Sequence, residues 1–230
     1  MQKRFFSTEF FIILLFFALP PIIFPGENPA QREVHFSWVS FALAALAGGL
    51  WWQMKMQSAD RNEENKDTGR VTFFLQQGQA LVTFGGLLVC AGLLELTARF
   101  ILGADSSTVL LPPKNAFGWV NAVFGTISAA FYEEVLYRVY LPDRAKKIFA
   151  RQKNHESNDE SRQKKKAWLC EIFVLILFAL AHRYAGWLSV ANALAGGILL
   201  RICYKKTGAL WTNLSAHIAY NAVMTAINLG

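Results

Sequence analysis

FGTISAAFYEEVLYRVYL, residues 124–141, decides how this chain is read. The run is apolar enough to lie in hydrocarbon, yet it carries two adjacent acids, Glu133 and Glu134, with Arg138 four residues beyond the second. Charged side chains in a bilayer are costly, and those that persist usually face a protein-lined space and carry function. Two other apolar stretches each hold a histidine: His182 in LFALAHRY (177–184) and His217 in LSAHIAYN (214–221), with Asn221 one turn further on. Two carboxylates, two imidazoles and an amide on three membrane helices are the components of a hydrolytic site.

Outward from this stretch, the same character extends over the whole chain. Of its 230 residues, 53% are hydrophobic and 14% aromatic, more than an ordinary soluble domain carries. The apolar residues fall into blocks at 10–24, 36–52, 80–102, 116–141, 168–182, 185–204 and 208–229. Most approach the ~20 residues that span ~30 Å of hydrocarbon. None alternates as a strand would, and backbone in lipid must satisfy its own hydrogen bonds. The expected fold is therefore all-α, a polytopic transmembrane bundle of about seven membrane helices. Residues 1–115 would hold the first three and residues 116–230, with the acids and histidines, a catalytic membrane domain of four.

The net charge of +7 does not point to nucleic acid, because of where the charge lies. With the N-terminus inside, the cytoplasmic segments hold Lys3 and Arg4, then Lys55, Arg61, Lys66 and Arg70, then the set from Arg144 to Lys166, then Arg201, Lys205 and Lys206. The opposite loops hold Arg32, Lys114 and Arg183. This asymmetry predicts the N-terminus inside and the C-terminus outside. The run Lys164–Lys166 would meet anionic headgroups. The basic start followed by an apolar run resembles a signal peptide, but Pro20 and Pro21 interrupt it and no small-residue cleavage site is evident. Retention is expected, and removal would leave the other helices with the same orientation.

The remaining features read as structural. Cys90, Cys170 and Cys203 are dispersed, form no CxxC, and suit a reduced core. Glu95 and Arg99 are spaced to pair with each other. In WLSVANALAGGILLRICY (187–204), Ala191 with Ala195 and Ala193 with Gly197 stand four apart, which lets helices approach closely. Asn192 and Asn213 each need a hydrogen-bond partner. The stretches 59–70 and 151–166 read as polar cytoplasmic loops, and His155 as a solvated loop residue.

Within the acidic stretch, residues four apart share a helix face, so Glu134 neighbours Arg138 and His217 neighbours Asn221. Glu133 points about 100° away from Glu134. One acid can thus be held by Arg138 while the other faces the reacting groups. The alternatives at this level are a buried ion-pair network and a proton relay, since intramembrane acids and histidines also form relays.

The motifs carry a family resemblance. EEVLYR (133–138) resembles the EExxxR motif of the CAAX protease and bacteriocin-processing (CPBP, or Abi) family of intramembrane proteases. FALAH (178–182) matches its FxxxH motif and HIAYN (217–221) its HxxxN motif, with the family-like run KTGALW (206–211) between them. The resemblance covers about residues 116–229. It implies that Glu133 and His182 polarise the attacking water, that His217 and Asn221 stabilise the oxyanion, and that Glu134 and Arg138 order the site. It implies an endopeptidase cutting near the C-terminus of a membrane-associated peptide or lipidated protein, prenylated CAAX-like or bacteriocin-type. The non-proteolytic alternatives are a membrane scaffold, an immunity protein or a proton-coupled transporter.

Zinc is the cofactor to weigh. His182, His217 and one glutamate could supply three ligands. The HExxH signature is absent, and His217 with Asn221 suits an oxyanion hole equally well, so no obligate metal is expected. Short loops suggest a bacterial cytoplasmic membrane. Depth leaves one tension. Glu134 and His217 lie ~12 and ~14 Å from the cytoplasmic ends of their blocks, but His182 lies ~22 Å from its own, unless that helix starts among the headgroups or tilts.

Overall fold

A computed structural model describes residues 2–24, 38–59, 69–101, 103, 110–150 and 160–229. The described residues are 92% helical, with no strand. A helical run appears at each of the seven apolar blocks. The first is α1 (Gln2–Ile13), which passes through a π-helical turn (Leu14–Ala18) into α2 (Pro20–Ile23). Then come α3 (Trp38–Ala59) and α4 (Gly69–Ile101). The fourth run begins as α5 (Ala116–Glu133). It continues through a π-helical segment (Glu134–Tyr140), α6 (Leu141–Ala145) and a second π turn (Lys146–Ala150). Last are α7 (Glu160–Leu180), α8 (Trp187–Thr207) and α9 (Leu210–Asn228).

Local signals set the boundaries. Asn115 caps α5, its side chain accepting the Gly118 N–H at 2.8 Å. α8 stops at Gly208, whose φ of 64° ends the helix in the left-handed conformation that glycine adopts without strain. An isolated parallel bridge joins Leu110 to Leu229, tying the approach to α5 to the end of the chain.

The fourth run lies at the centre of the bundle. Val135, Leu136, Tyr137, Tyr140 and Leu141 are buried with Phe10 and Ile13 of α1, Ala47 and Leu50 of α3, and Val174, Leu177 and Phe178 of α7. α4 lies against α8 and α9. α7 and α8 approach closely at Gly197, where a Cβ would meet Leu175 Cδ1 at 2.7 Å and Phe178 Cδ1 at 3.0 Å. Small residues therefore serve packing there, as the sequence suggests.

The outer faces are apolar. Phe74, Leu81, Val82, Leu93 and Phe100 of α4, Val120 and Val123 of α5, and Trp187 of α8 all stand exposed. A water-soluble monomer does not present such a surface, and hydrocarbon solvates it. Phe73–Ile101 and Trp187–Thr207 are each long and apolar enough to cross a membrane. Together with the apolar outer faces, these helices point to an integral membrane protein.

Several expectations change. Residues 160–166 are not loop: good helix formers carry α7 two turns beyond the apolar block. Arg144 and Arg201 are not loop cations. The fourth run stays helical to Ala150, which draws Arg144 inside, where it donates to Gln57 at 3.1 Å and faces Glu9 at 3.9 Å. Arg201, on α8, turns inward to Glu171 at 3.1 Å. Glu9 and Glu171 are acids whose partnering was not anticipated. Residues 60–68 and 151–159, including His155, lie outside the described residues. Elsewhere the pairings hold: Arg99 donates to Glu95 at 2.6 Å, Asn192 donates to the Tyr220 hydroxyl at 2.7 Å, and the three cysteines are free.

Candidate active site

The two adjacent acids part company at the junction between α5 and the π-helical segment. Pro142 gives a physical reason for the wider turn. In an α-helix the Arg138 carbonyl would accept from the N–H four residues on; that residue is Pro142, which has none and whose ring crowds that carbonyl. The chain widens instead, and the Leu141 N–H reaches back five residues to the Leu136 carbonyl. Such π turns recur at functional sites.

Glu134 points inward and is wholly buried. Its Oε1 receives His217 Nδ1 at 2.9 Å, and its Oε2 receives Asn213 Nδ2 at 2.6 Å. Arg138 Nε stands 3.7 Å from Oε2. The Arg138 guanidinium also lies 4.1 Å over the ring of Phe178, a cation–π contact that desolvation strengthens. Phe178 packs edge-on against His182 at 4.8 Å, and its carbonyl receives His182 Nδ1 at 2.9 Å.

Glu133 is the accessible acid, with its side chain 22% exposed against 0% for Glu134. Its Oε2 lies 3.7 Å from His217 Nε2 and 4.0 Å from His182 Nε2. Both rings are oriented by what holds Nδ1. A carbonyl can only accept, so His182 carries a proton on Nδ1 and turns Nε2 toward Glu133. His217 donates from Nδ1 to Glu134 and likewise directs Nε2 at Glu133. The gaps exceed hydrogen-bond reach, and contacts of this length between polar groups suit a shared small guest such as water.

The structure thus brings together five of the six residues singled out from sequence: Glu133, Glu134, Arg138, His182 and His217. Asn221 is half-buried one turn beyond His217 on α9, and no hydrogen bond joins it to the other five. His182, just beyond the end of α7 at Leu180, is nonetheless brought beside Glu133. Asn213, expected to need a hydrogen-bond partner, finds it in Glu134, which makes it part of the cluster. Its signal was present, since it stands four residues before His217 on the same face of α9.

A zinc ion would draw on His182, His217 and Glu133, whose Nδ1 anchoring is of the kind that orients metal-ligating imidazoles. As they stand, however, the donors are set wider than the roughly 3.3 Å that bonds of ~2.0–2.1 Å imply between ligands of a tetrahedral zinc. Among the described residues no group of three such side chains is gathered as a metal site.

The helical bundle thus has apolar outer faces, as an integral membrane protein would, and encloses a buried acid–imidazole cluster. Residues 115–223, just under half of the chain, match the family model described as type II CAAX prenyl endopeptidase Rce1-like, in agreement with the family that the three motifs resemble. That family is one of peptidases, which act on a peptide or protein. No curated protein and no solved structure matches the chain.

Proposed function

We propose that the protein is an intramembrane endopeptidase in which Glu133 activates water for attack on a peptide bond near the C-terminus of a membrane-associated substrate. The observation that supports this most is the convergence of Glu133 Oε2 and both histidine Nε2 atoms. A water held there would lose its proton to Glu133, with His182 Nε2 accepting its second hydrogen. The tetrahedral intermediate places negative charge on the former carbonyl oxygen, which donors must meet. His217 donates through Nε2 only as the imidazolium, whose charge the Glu134 carboxylate on Nδ1 would counter, as the acid does in serine-protease triads. Asn221, one turn along, would be the second donor. Glu133 would then pass its proton to the leaving amine. Residues 116–230 form the catalytic unit in this reading, and residues 1–115 brace it.

The mechanism uses no obligate metal, consistent with the wide setting of the donors. If zinc were bound, it would supply Lewis acidity to the same water. The test is cleavage of a fluorogenic farnesylated CAAX-type peptide, beside its unprenylated twin, by protein reconstituted in vesicles. Chelation is expected to leave activity unchanged. Activity lost with the metal and restored by stoichiometric zinc would replace the glutamate mechanism. Cleavage of the unprenylated peptide alone would shift the substrate to the bacteriocin type.

The proposed location is the bacterial cytoplasmic membrane, N-terminus inside and C-terminus outside. In a background without native cysteines, Asn154→Cys is expected to react with an impermeant maleimide only from the cytoplasmic side, and a cysteine added after Gly230 only from outside. Labelling of position 154 from outside would invert the orientation.

A further inference from the structure

We propose that Arg201, braced by Glu171, is a positioning residue for the catalytic acids. It rests on the proposed function for its consequence in catalysis, but not for its structural content. Arg201 is on α8 and belongs to none of the three motifs. Its Nη1 donates at 2.7 Å to the carbonyl of Arg138. That is the carbonyl whose partner in an α-helix would be residue 142, a proline without an N–H. Arg201 Nη2 donates at 3.1 Å to Glu171 Oε1 on α7. The planar fork of a guanidinium suits this double task, with one nitrogen on each acceptor; a lysine ammonium lacks that geometry.

Glu171 is itself held. Lys146, from the turn after α6, and Lys205, one helical turn beyond Arg201, both form ion pairs with it. Glu171 therefore grips the central run twice, directly at Lys146 and through Arg201 at Arg138. Between these two points lies Pro142, and the first of them, Arg138, lies within the π-helical segment that sends Glu134 inward and leaves Glu133 facing the imidazoles. Arg201 and Glu171 are largely buried, with side chains 18% and 13% exposed, so the bond from Nη1 competes little with water. The role follows: Arg201 satisfies the carbonyl at which the α-helical pattern fails, and so fixes the turn that sets the two acids at different angles.

A double-mutant cycle tests this on the full chain in detergent. Arg201→Gln is expected to lower the melting temperature in the native background. Pro142→Ala returns an N–H that can meet the Arg138 carbonyl, so Arg201→Gln should cost clearly less in that background. Equal losses in both backgrounds would overturn the inference, because a merely structural arginine would not be coupled to Pro142. If either single variant cannot be purified, Arg201→Lys replaces Arg201→Gln, with the same expectation. The second readout is turnover of the farnesylated peptide. Arg201→Gln should lower kcat on the order of tenfold to a hundredfold at unchanged KM, as displaced catalytic groups do. Arg99→Gln, which removes an exposed ion pair on α4 outside this network, should turn over normally. A changed KM with normal kcat would also overturn the inference. If the native protein cleaves no peptide, the proposed function fails while the thermal cycle still decides the role of Arg201.

Discussion

Glu133→Gln is expected to lower peptide cleavage by about two to four orders of magnitude, the usual scale for loss of a general base. The folded protein should survive. Glu133 is partly exposed, and its nearest imidazole nitrogens stand at 3.7 and 4.0 Å, beyond direct hydrogen bonding. The amide keeps the size of the carboxylate but cannot take a proton from water. The variant should therefore enter the membrane in normal yield, melt like the native protein, and fail at turnover. His182→Ala should share this phenotype, since its Nε2 is the other acceptor facing the same point. Native turnover by Glu133→Gln on the farnesylated peptide would remove Glu133 from the mechanism.

The neighbouring residue should behave oppositely. Glu134→Ala is expected to destabilise the fold by about 3–5 kcal/mol, the cost of breaking a buried ion pair by removing one partner. Arg138 would keep its charge in the bundle interior without the carboxylate that pairs with it, and both His217 and Asn213 would lose their acceptor. The measurement is thermal unfolding in detergent, set beside Glu133→Gln purified in parallel. A Glu134→Ala protein that melts with the native one would show that the acid does not hold the cluster together. The contrast between two adjacent glutamates, one needed for turnover and one for folding, is the sharpest consequence of the geometry.

That contrast was partly legible beforehand. Spacing alone placed Arg138 on the face of Glu134, and so assigned the held acid and the free one correctly. Likewise, the length and apolarity of the blocks located seven helical runs among the described residues, two of them long and apolar enough to cross a membrane, because hydrophobic segmentation is a property of consecutive residues. The motifs at 133–138, 178–182 and 217–221 were enough to name the family whose model residues 115–223 match.

What was not legible depends on partners distant in the chain. Arg144 and Arg201 sit among basic residues in the sequence and were taken with the loops. The fold buries them against Glu9, Gln57 and Glu171, acceptors 30 or more residues away. Pro142 is visible as a helix disturbance, but whether it ends the helix, kinks it or widens it depends on what meets the freed carbonyl. Here that is Arg201 of α8, 63 residues on. Asn213 is one more polar residue in an apolar block until α9 packs against Glu134. Sequence by itself thus determined which segments are helices and which residue types the site contains, since both are written in local spacing. Only the tertiary structure decided which charges are buried, what satisfies each of them and which way each imidazole faces, because a hydrogen bond between helices is fixed by packing rather than by order along the chain.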